Sequence, residues 1–152
     1  MRLRSWLVSG AVAAAALLTT QPAMAAQSVV TFYADSGDQC VRGVTEGTLE
    51  WVEGPVVRPT VKVDGSLADD AANSSCAPDG MYSTATFSAY KGSSLVDSET
   101  AKADDGKVAL SFALSDPTGV TAIDRVVVQV CRFSSTPVGI SYCGRVAEYK
   151  AP

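Results

Sequence analysis

Histidine is absent from this chain of 152 residues. The chain therefore lacks the side chain that most often serves as a general base, as a zinc ligand and as a switch near neutral pH. Charged residues are also few, at 18%, and the formal net charge is −4. Because an acidic protein is poorly suited to bind a phosphate backbone, we expect no nucleic-acid partner. Hydrophobic residues make up 47% of the chain, a fraction that excludes a disordered protein.

The first 25 residues have the composition of a secretory signal peptide. Arg2 and Arg4 form a positive start, residues 6–18 form an apolar region, and residues 23–25 (Ala-Met-Ala) form a small-x-small cleavage site. The apolar region is shorter than the roughly 20 residues that a membrane-crossing helix needs. We therefore predict that residues 1–25 are removed and that residues 26–152 form a single domain. We expect the mature protein to be secreted without a membrane anchor.

All four cysteines of the chain lie after the predicted cleavage site. In an exported protein, an even number of cysteines predicts disulfides, and four cysteines allow three pairings. Two of them lie on consecutive strand-like segments near the C-terminus, which favours a Cys131–Cys143 bond and leaves Cys40–Cys76 as the second bond. By loop-closure entropy these bonds contribute roughly 3 and 4 kcal/mol, respectively.

Hydrophobic residues after the signal peptide recur with a period of two, and glycine or proline stands near most segment ends. This pattern is typical of short strands joined by turns. It predicts an all-β fold of about eight strands with two disulfides, an antiparallel β-sandwich of immunoglobulin-like character, with a closed barrel as the alternative. Residues 67–72 are compatible with one helical turn. The predicted strands are residues 29–33, 48–52, 57–63, 81–90, 95–102, 108–115, 123–133 and 140–149.

Residues 81–115 are predicted to form a three-stranded meander. Gly92-Ser93 suits a two-residue hairpin turn, and this turn would set Ala89 opposite Val96. Residues 104–106 (Asp-Asp-Gly), read as a three-residue loop with Gly106 in the left-handed conformation, would then set Val96 opposite Leu114. A two-residue Asp-Gly turn would instead put Asp97 and Glu99 on the face of Leu114 and Phe112, because a shift of one residue turns every side chain over. The three-residue loop is therefore preferred, since both turns then agree on a single buried face.

The last hairpin is predicted from its alternation and its cysteines. Residues 116–119 (Asp-Pro-Thr-Gly) have the sequence of a type I turn. In the strand that follows, Val126, Val128 and Val130 share one face, while the opposite, wetter face carries Val127, Gln129, Cys131 and Phe133. Direct opposition of Cys131 and Cys143 would place Val128 against Val146.

The sequence offers no convincing catalytic or metal-binding residues, and we predict none, nor any cofactor. A histidine-based catalytic triad is excluded, no G-x-S-x-G motif occurs, and the lysines lie in polar contexts typical of a solvated surface. Glutamates near Trp51 resemble the carboxylates of a glycosidase, but strand alternation predicts that Trp51 is buried and that Glu50 faces the other way. Residues 64–70 and 104–105 supply aspartates suited to calcium, yet turn chemistry accounts for them.

A loop between the two cysteine-bearing strands is the best candidate for a recognition site. The residues that we expect to form it are Arg132, Phe133, Pro137 and Val138. We predict a non-enzymatic extracellular binding or structural module whose partner is an extracellular protein or a cell-wall component. The alternative is an inhibitor of extracellular proteases that acts through residues 132–142.

Overall fold

The computed structural model describes residues 27–38, 43–52, 60–69 and 80–152. Within these residues the chain forms nine strands and no helix, as expected for an all-β protein. The signal peptide and the predicted Cys40–Cys76 bond lie outside the described residues. The strands are β1 (Gln27–Asp35), β2 (Gly43–Val52), β3 (Thr60–Asp69), β4 (Met81–Lys91), β5 (Ser94–Ala103), β6 (Gly106–Ser115), β7 (Arg125–Ser134), β8 (Tyr142–Cys143) and β9 (Ala147–Lys150).

The strands form two antiparallel sheets. The first sheet has the order β1-β2-β3-β6, and the second has the order β5-β4-β7-β8, with β9 also paired to β7. Residues that share a face alternate along each strand because the side-chain period of a strand is two. In β7, for example, Val126, Val128 and Val130 are fully buried, and the residues between them are partly exposed. The predicted faces of this strand are therefore confirmed.

Aromatic and branched side chains from both sheets share one apolar core. Phe87 of the second sheet is fully buried. Its ring packs edge-on against Phe32 and Phe112 of the first sheet, each with a centroid distance of 5.3 Å. Trp51 is also buried, at 3% exposure, as the alternation predicts. Burial of one such aromatic side chain contributes on the order of 2 kcal/mol, so these contacts hold the two sheets together.

The predicted meander is wrong, because β6 leaves the second sheet. Strand β6 pairs with β3, which sets Phe112 opposite Val63 and Leu114 opposite Val61. The inward-facing residues of β6 are apolar. The buried apolar residues of β3 are therefore better neighbours for them than the more polar residues of β5. The connection from β5 consists of two residues, and Asp105 rather than Gly106 adopts the positive φ, at 51°.

A β-bulge explains why the predicted register of β4 and β5 is also wrong. The turn at Gly92-Ser93 is present, since Lys91 lies opposite Ser94, but the register shifts between Ala89 and Tyr90. Ala89 therefore lies opposite Asp97 instead of Val96. One extra residue turns the rest of the strand over. As a result, Asp97 and Glu99 lie on the same face of the sheet as Ala89 and Phe87, although Asp97 is partly exposed and Glu99 is exposed at this edge.

The last hairpin confirms the Cys131–Cys143 disulfide and corrects the strand around it. The two cysteines lie directly opposite each other, with a Cα–Cα distance of 4.1 Å. Beyond them an extra residue intervenes, so that Val128 faces Ala147 rather than Val146. The single strand predicted for residues 140–149 is therefore two short strands, β8 and β9. The helical turn predicted from residue 67 is also wrong in its described part, which belongs to β3.

Candidate functional site

The candidate recognition site is the connection between β7 and β8, residues 135–141, which we call the tip loop. Thr136 and Gly139 close a turn through a hydrogen bond from the Gly139 N–H to the Thr136 carbonyl oxygen, at 3.2 Å. Pro137 and Val138 occupy the two central positions of this turn, and proline at the first of them favours it because its φ is already fixed. The turn therefore presents Val138 at the outermost point of the loop.

Several bonds fix the base of the tip loop. The Cys131–Cys143 disulfide joins the strands on either side. Ser135 donates hydrogen bonds from its backbone N–H and its hydroxyl to the Gly80 carbonyl oxygen, at 2.8 and 2.7 Å. A Cβ atom on Gly139 would overlap the Ser134 side chain, so only glycine allows this close return of the chain. These contacts restrain the loop at its base.

The tip loop exposes large apolar side chains to solvent. Val138 is 94% exposed, and Ile140 is 68% exposed. Tyr142, at the start of β8, is 40% exposed. Full burial of a valine or isoleucine side chain contributes about 1.5–3 kcal/mol, which makes the loop a suitable surface for contact with another molecule.

The structure does not bring the four predicted recognition residues together. Pro137 and Val138 lie at the tip. Phe133 lies on the outer face of β7, where its ring packs against Tyr82 with a centroid distance of 5.7 Å. Arg132 points the other way and is only 3% exposed. The exposed surface therefore consists of residues at the tip, and Arg132 belongs to a different structural feature.

Arg132 is the centre of a buried polar cluster that joins the two sheets. Its Nε donates to Asp69 Oδ1 at 3.2 Å, and its Nη1 donates to Asp38 Oδ2 at 3.1 Å. Ser83 also donates its hydroxyl hydrogen to Asp69 Oδ1. The Asp105 N–H donates to Asp69 Oδ2 at 3.2 Å. Both charges of the Arg132–Asp69 pair are almost fully withdrawn from water, with side-chain exposures of 4% and 1%.

Sequence reasoning missed this cluster, although one signal was available. Arg132 is an even number of positions away from Val126, Val128 and Val130, so the alternation of β7 assigns it to the same, inner face. A buried arginine requires an acceptor because its charge cannot be left unpaired in a protein core. The acceptors, however, come from strands that are distant in the sequence, and their identity required the fold.

Three carboxylates meet beside this cluster. Oxygen atoms of Asp69, Asp104 and Asp105 lie within 4.8 Å of one another. The sequence analysis placed these aspartates in two separate groups, residues 64–70 and residues 104–105. Asp64, a member of the first group, is exposed elsewhere on β3. Oxygen ligands suit hard cations such as calcium. Asp69 already accepts three hydrogen bonds, and Asp104 lies 3.3 Å from the Lys102 ammonium group, so hydrogen bonds and ion pairing account for the arrangement.

A second buried carboxylate lies at the opposite end of the molecule, between β6 and β7. Asp116 is 7% exposed. Its carboxylate accepts hydrogen bonds from the backbone N–H groups of Thr118, Val120 and Thr121, and also from the Thr118 hydroxyl group. Hydrogen bonds from Thr121 and Thr118 hold the pKa of Asp116 well below its usual range. The contacts confirm a tight turn here, because the Gly119 N–H also donates to the Asp116 carbonyl oxygen at 2.9 Å.

The lysines that a serine–lysine catalyst would require lie at the surface. Each of the five has a side-chain exposure of 48% or more and lies within 4.0 Å of a carboxylate oxygen. A catalytic lysine normally needs a buried or crowded position that lowers its pKa. These positions therefore give no support to a serine–lysine mechanism. The residues concerned are Lys62, Lys91, Lys102, Lys107 and Lys150.

Comparisons of the chain with protein-family models, with curated proteins and with solved structures gave no significant match. Among the residues that the structure describes, none forms a helix long and apolar enough to cross a membrane.

Proposed function

We propose that this protein is an exported, non-enzymatic binding module that contacts an extracellular protein through its tip loop. The observation that carries the proposal is the exposure of Val138 and Ile140, at 94% and 68%, on a loop whose base is fastened to the second sheet. Apolar side chains on a preorganised loop favour binding, because little conformational entropy is lost when a partner covers them.

We further propose that the two sheets form a sandwich with immunoglobulin-like topology. The chain passes between the sheets from β3 to β4, from β5 to β6 and from β6 to β7. These crossings place β6 beside β3 and β7 beside β4, an arrangement typical of immunoglobulin-like domains. The Arg132–Asp69 pair supports this assignment, since it joins β7 to β3 across the core.

Export is proposed from the signal-like composition of residues 1–25 and from the disulfide. Disulfides persist mainly in oxidising compartments, and the Cys131–Cys143 bond is consistent with such a location. The mature protein would then meet its partner outside the cell.

Binding with a matched pair of variants tests the proposal. Immobilised mature protein is exposed to culture supernatant, and retained proteins are identified and their affinities measured. Val138→Asp combined with Ile140→Asp should weaken the affinity for the partner by about 30-fold or more. Val120→Asp is the control, because Val120 is 83% exposed at the other end of the molecule. A partner that binds both variants equally, or the retention of no protein, would overturn the proposal.

Protease inhibition is the second candidate function, and the disulfide at the base of the tip loop favours it. Inhibitor loops rely on the same preorganisation. The measurement is residual activity of a panel of secreted proteases with stoichiometric amounts of the protein. Inhibition that Val138→Asp abolishes would identify the partner as a protease. Full activity across the panel would leave the tip loop as a non-inhibitory contact surface.

A further inference from the structure

The outer face of the second sheet differs in chemistry from every other surface described so far. In β4, alternation turns five side chains toward solvent, and the register places outward-facing residues of β5 and β7 beside them. We call the middle of this surface the hydroxyl face. Its members are Thr84, Thr86 and Ser88 of β4, Ser98 and Thr100 of β5, and Gln129 of β7.

Hydroxyl groups on this face pair across the two strands. The Thr86 and Thr100 hydroxyl oxygens are 3.2 Å apart, and those of Ser88 and Ser98 are also 3.2 Å apart. One hydrogen of each pair is used between its two members. The second hydrogen and most of the acceptor lone pairs remain for a ligand. Gln129 donates one amide hydrogen to the Gly144 carbonyl oxygen at 3.0 Å, so its second amide hydrogen and its Oε1 are what it adds to this row.

Aromatic rings stand at both ends of the hydroxyl face. Tyr82 packs against Phe133 at one end, with Lys102 Nζ 3.9 Å from the centre of the Tyr82 ring. Tyr90 lies at the other end, with the Arg125 guanidinium 4.4 Å from its centre. At roughly 3.3 Å per strand residue, the two tyrosines are about 26 Å apart along β4. That span matches an extended ligand rather than a compact one.

Charge is confined to the ends of this face and is already compensated there. Lys102 lies 3.3 Å from Asp104, and Arg125 lies 2.7 Å from Glu148. The outer face of the first sheet is different, since Glu46, Glu50 and Asp64 point outward from its strands. An anionic ligand would find no free row of cations on the hydroxyl face. A protein interface would normally have an apolar centre depleted in serine.

We propose that the hydroxyl face binds a chain of neutral sugars. Such a chain is extended and uncharged, its hydroxyl groups both donate and accept hydrogen bonds, and the C–H faces of its rings pack on aromatic side chains. The face offers complementary groups: hydroxyls and one amide in its middle, beside Val127 and Cys131 of β7, and at its ends two tyrosine rings that each also contact a cation. This surface is separate from the tip loop, and the proposal does not depend on the partner of that loop.

Retention on polysaccharides tests the proposal. The mature protein is applied to insoluble and soluble glucans, mannans, xylans, galactans and chitin, with polygalacturonate as an anionic comparison. We expect retention on at least one neutral polymer. Combining Thr86→Ala with Gln129→Ala should weaken the affinity by about tenfold or more, because hydrogen bonds to the ligand are lost. Tyr82→Ala should weaken it by a similar factor.

Two controls make the result specific to this face. Thr48→Ala removes an outward-facing threonine from the middle of the first sheet and should leave retention unchanged. Val138→Asp with Ile140→Asp should also leave it unchanged, which separates this proposal from the one for the tip loop. Thermal melting confirms that each variant is folded. No retention on any neutral polymer, salt-sensitive retention on polygalacturonate alone, or equal retention of the Thr86→Ala/Gln129→Ala variant would overturn the proposal.

Discussion

Each end of this molecule contains a buried carboxylate, and the two differ in where their partners come from. At the end where β7 finishes, Asp69 is bound by Ser83, by Asp105 and by Arg132, which is 63 residues away in the sequence. We call this the Arg132 end. At the end where β7 begins, the partners of Asp116 lie within five residues of it.

Two carboxylates that are buried to a similar extent can therefore stabilise different parts of the protein, the whole fold in one case and a single loop in the other. The contacts of Asp69 connect strands of both sheets, so their loss should destabilise the whole fold. The contacts of Asp116 satisfy backbone N–H groups of its own loop, so their loss should act mainly on that loop. Buried polar groups of either kind are costly when a partner is removed.

The largest effect is expected from Asp69→Ala. This change leaves the Arg132 guanidinium buried with one carboxylate fewer, and removing one partner of a buried ion pair costs about 3–5 kcal/mol. Urea denaturation measures the loss in the free energy of unfolding. Asp64→Ala is the control, because Asp64 is exposed on the same strand, and its effect should be within about 0.5 kcal/mol. A loss of under about 1 kcal/mol for Asp69→Ala would show that the ion pair is not the long-range link we describe.

Removal of the Cys131–Cys143 disulfide should have the next largest effect. The bond closes a short loop, with a sequence separation of 12, so changing both cysteines to serine should lower the free energy of unfolding by about 3 kcal/mol. Hydrogen exchange should quicken in residues 135–141, at the Arg132 end, without a comparable local change in residues 117–121. Equal changes at both ends would mean that the disulfide acts on the fold as a whole rather than on the tip loop.

The smallest effect is expected at Asp116, and it depends on pH. The folded state depresses the pKa of this carboxyl group, so its stabilising contribution is present above the unfolded pKa of about 3.9 and is lost as the pH falls below that value. Asp116→Asn should lower the melting temperature by a few degrees at neutral pH, and the difference from the wild type should shrink toward pH 2.

A control is needed because protonation of Glu148 at low pH should also lower the stability of the folded protein. Its hydrogen bond from Arg125 also lowers its pKa. Glu148→Gln should therefore reduce acid sensitivity too, but it should leave hydrogen exchange in residues 117–121 unchanged. A melting difference for Asp116→Asn that stays constant from pH 7 to pH 2 would contradict the assignment.

The regularity of each segment decided how much could be predicted from the sequence. The faces of β7 follow from strict alternation, and the opposition of Cys131 and Cys143 follows from a hairpin that those residues bracket. The register of β5 was predicted wrongly because a bulge adds one residue at Val96, and nothing in the local composition marks it. The partner of β6 was also wrong, since the choice between two sheets depends on packing across the core.

The candidate site was predicted only in part, because some of its residues follow from the local sequence pattern and others do not. Val138 and Pro137 lie in a polar loop between two recognisable strands, so their exposure could be predicted. Arg132 was assigned to that loop, although the alternation of β7 places its side chain on the inner face of the strand. Its partners, Asp69 and Asp38, are 63 and 94 residues away, a separation that no local pattern spans.

The bulge in β5 has a consequence for how this protein behaves at high concentration. An unpaired edge strand is a template onto which another chain can add, and this is a common route to fibres. The bulge puts Asp97 and Glu99 on the core-side face at the edge of the second sheet, where a newly added strand would bring apolar side chains against two carboxylates. The sheet is thereby protected from growing outward on this side.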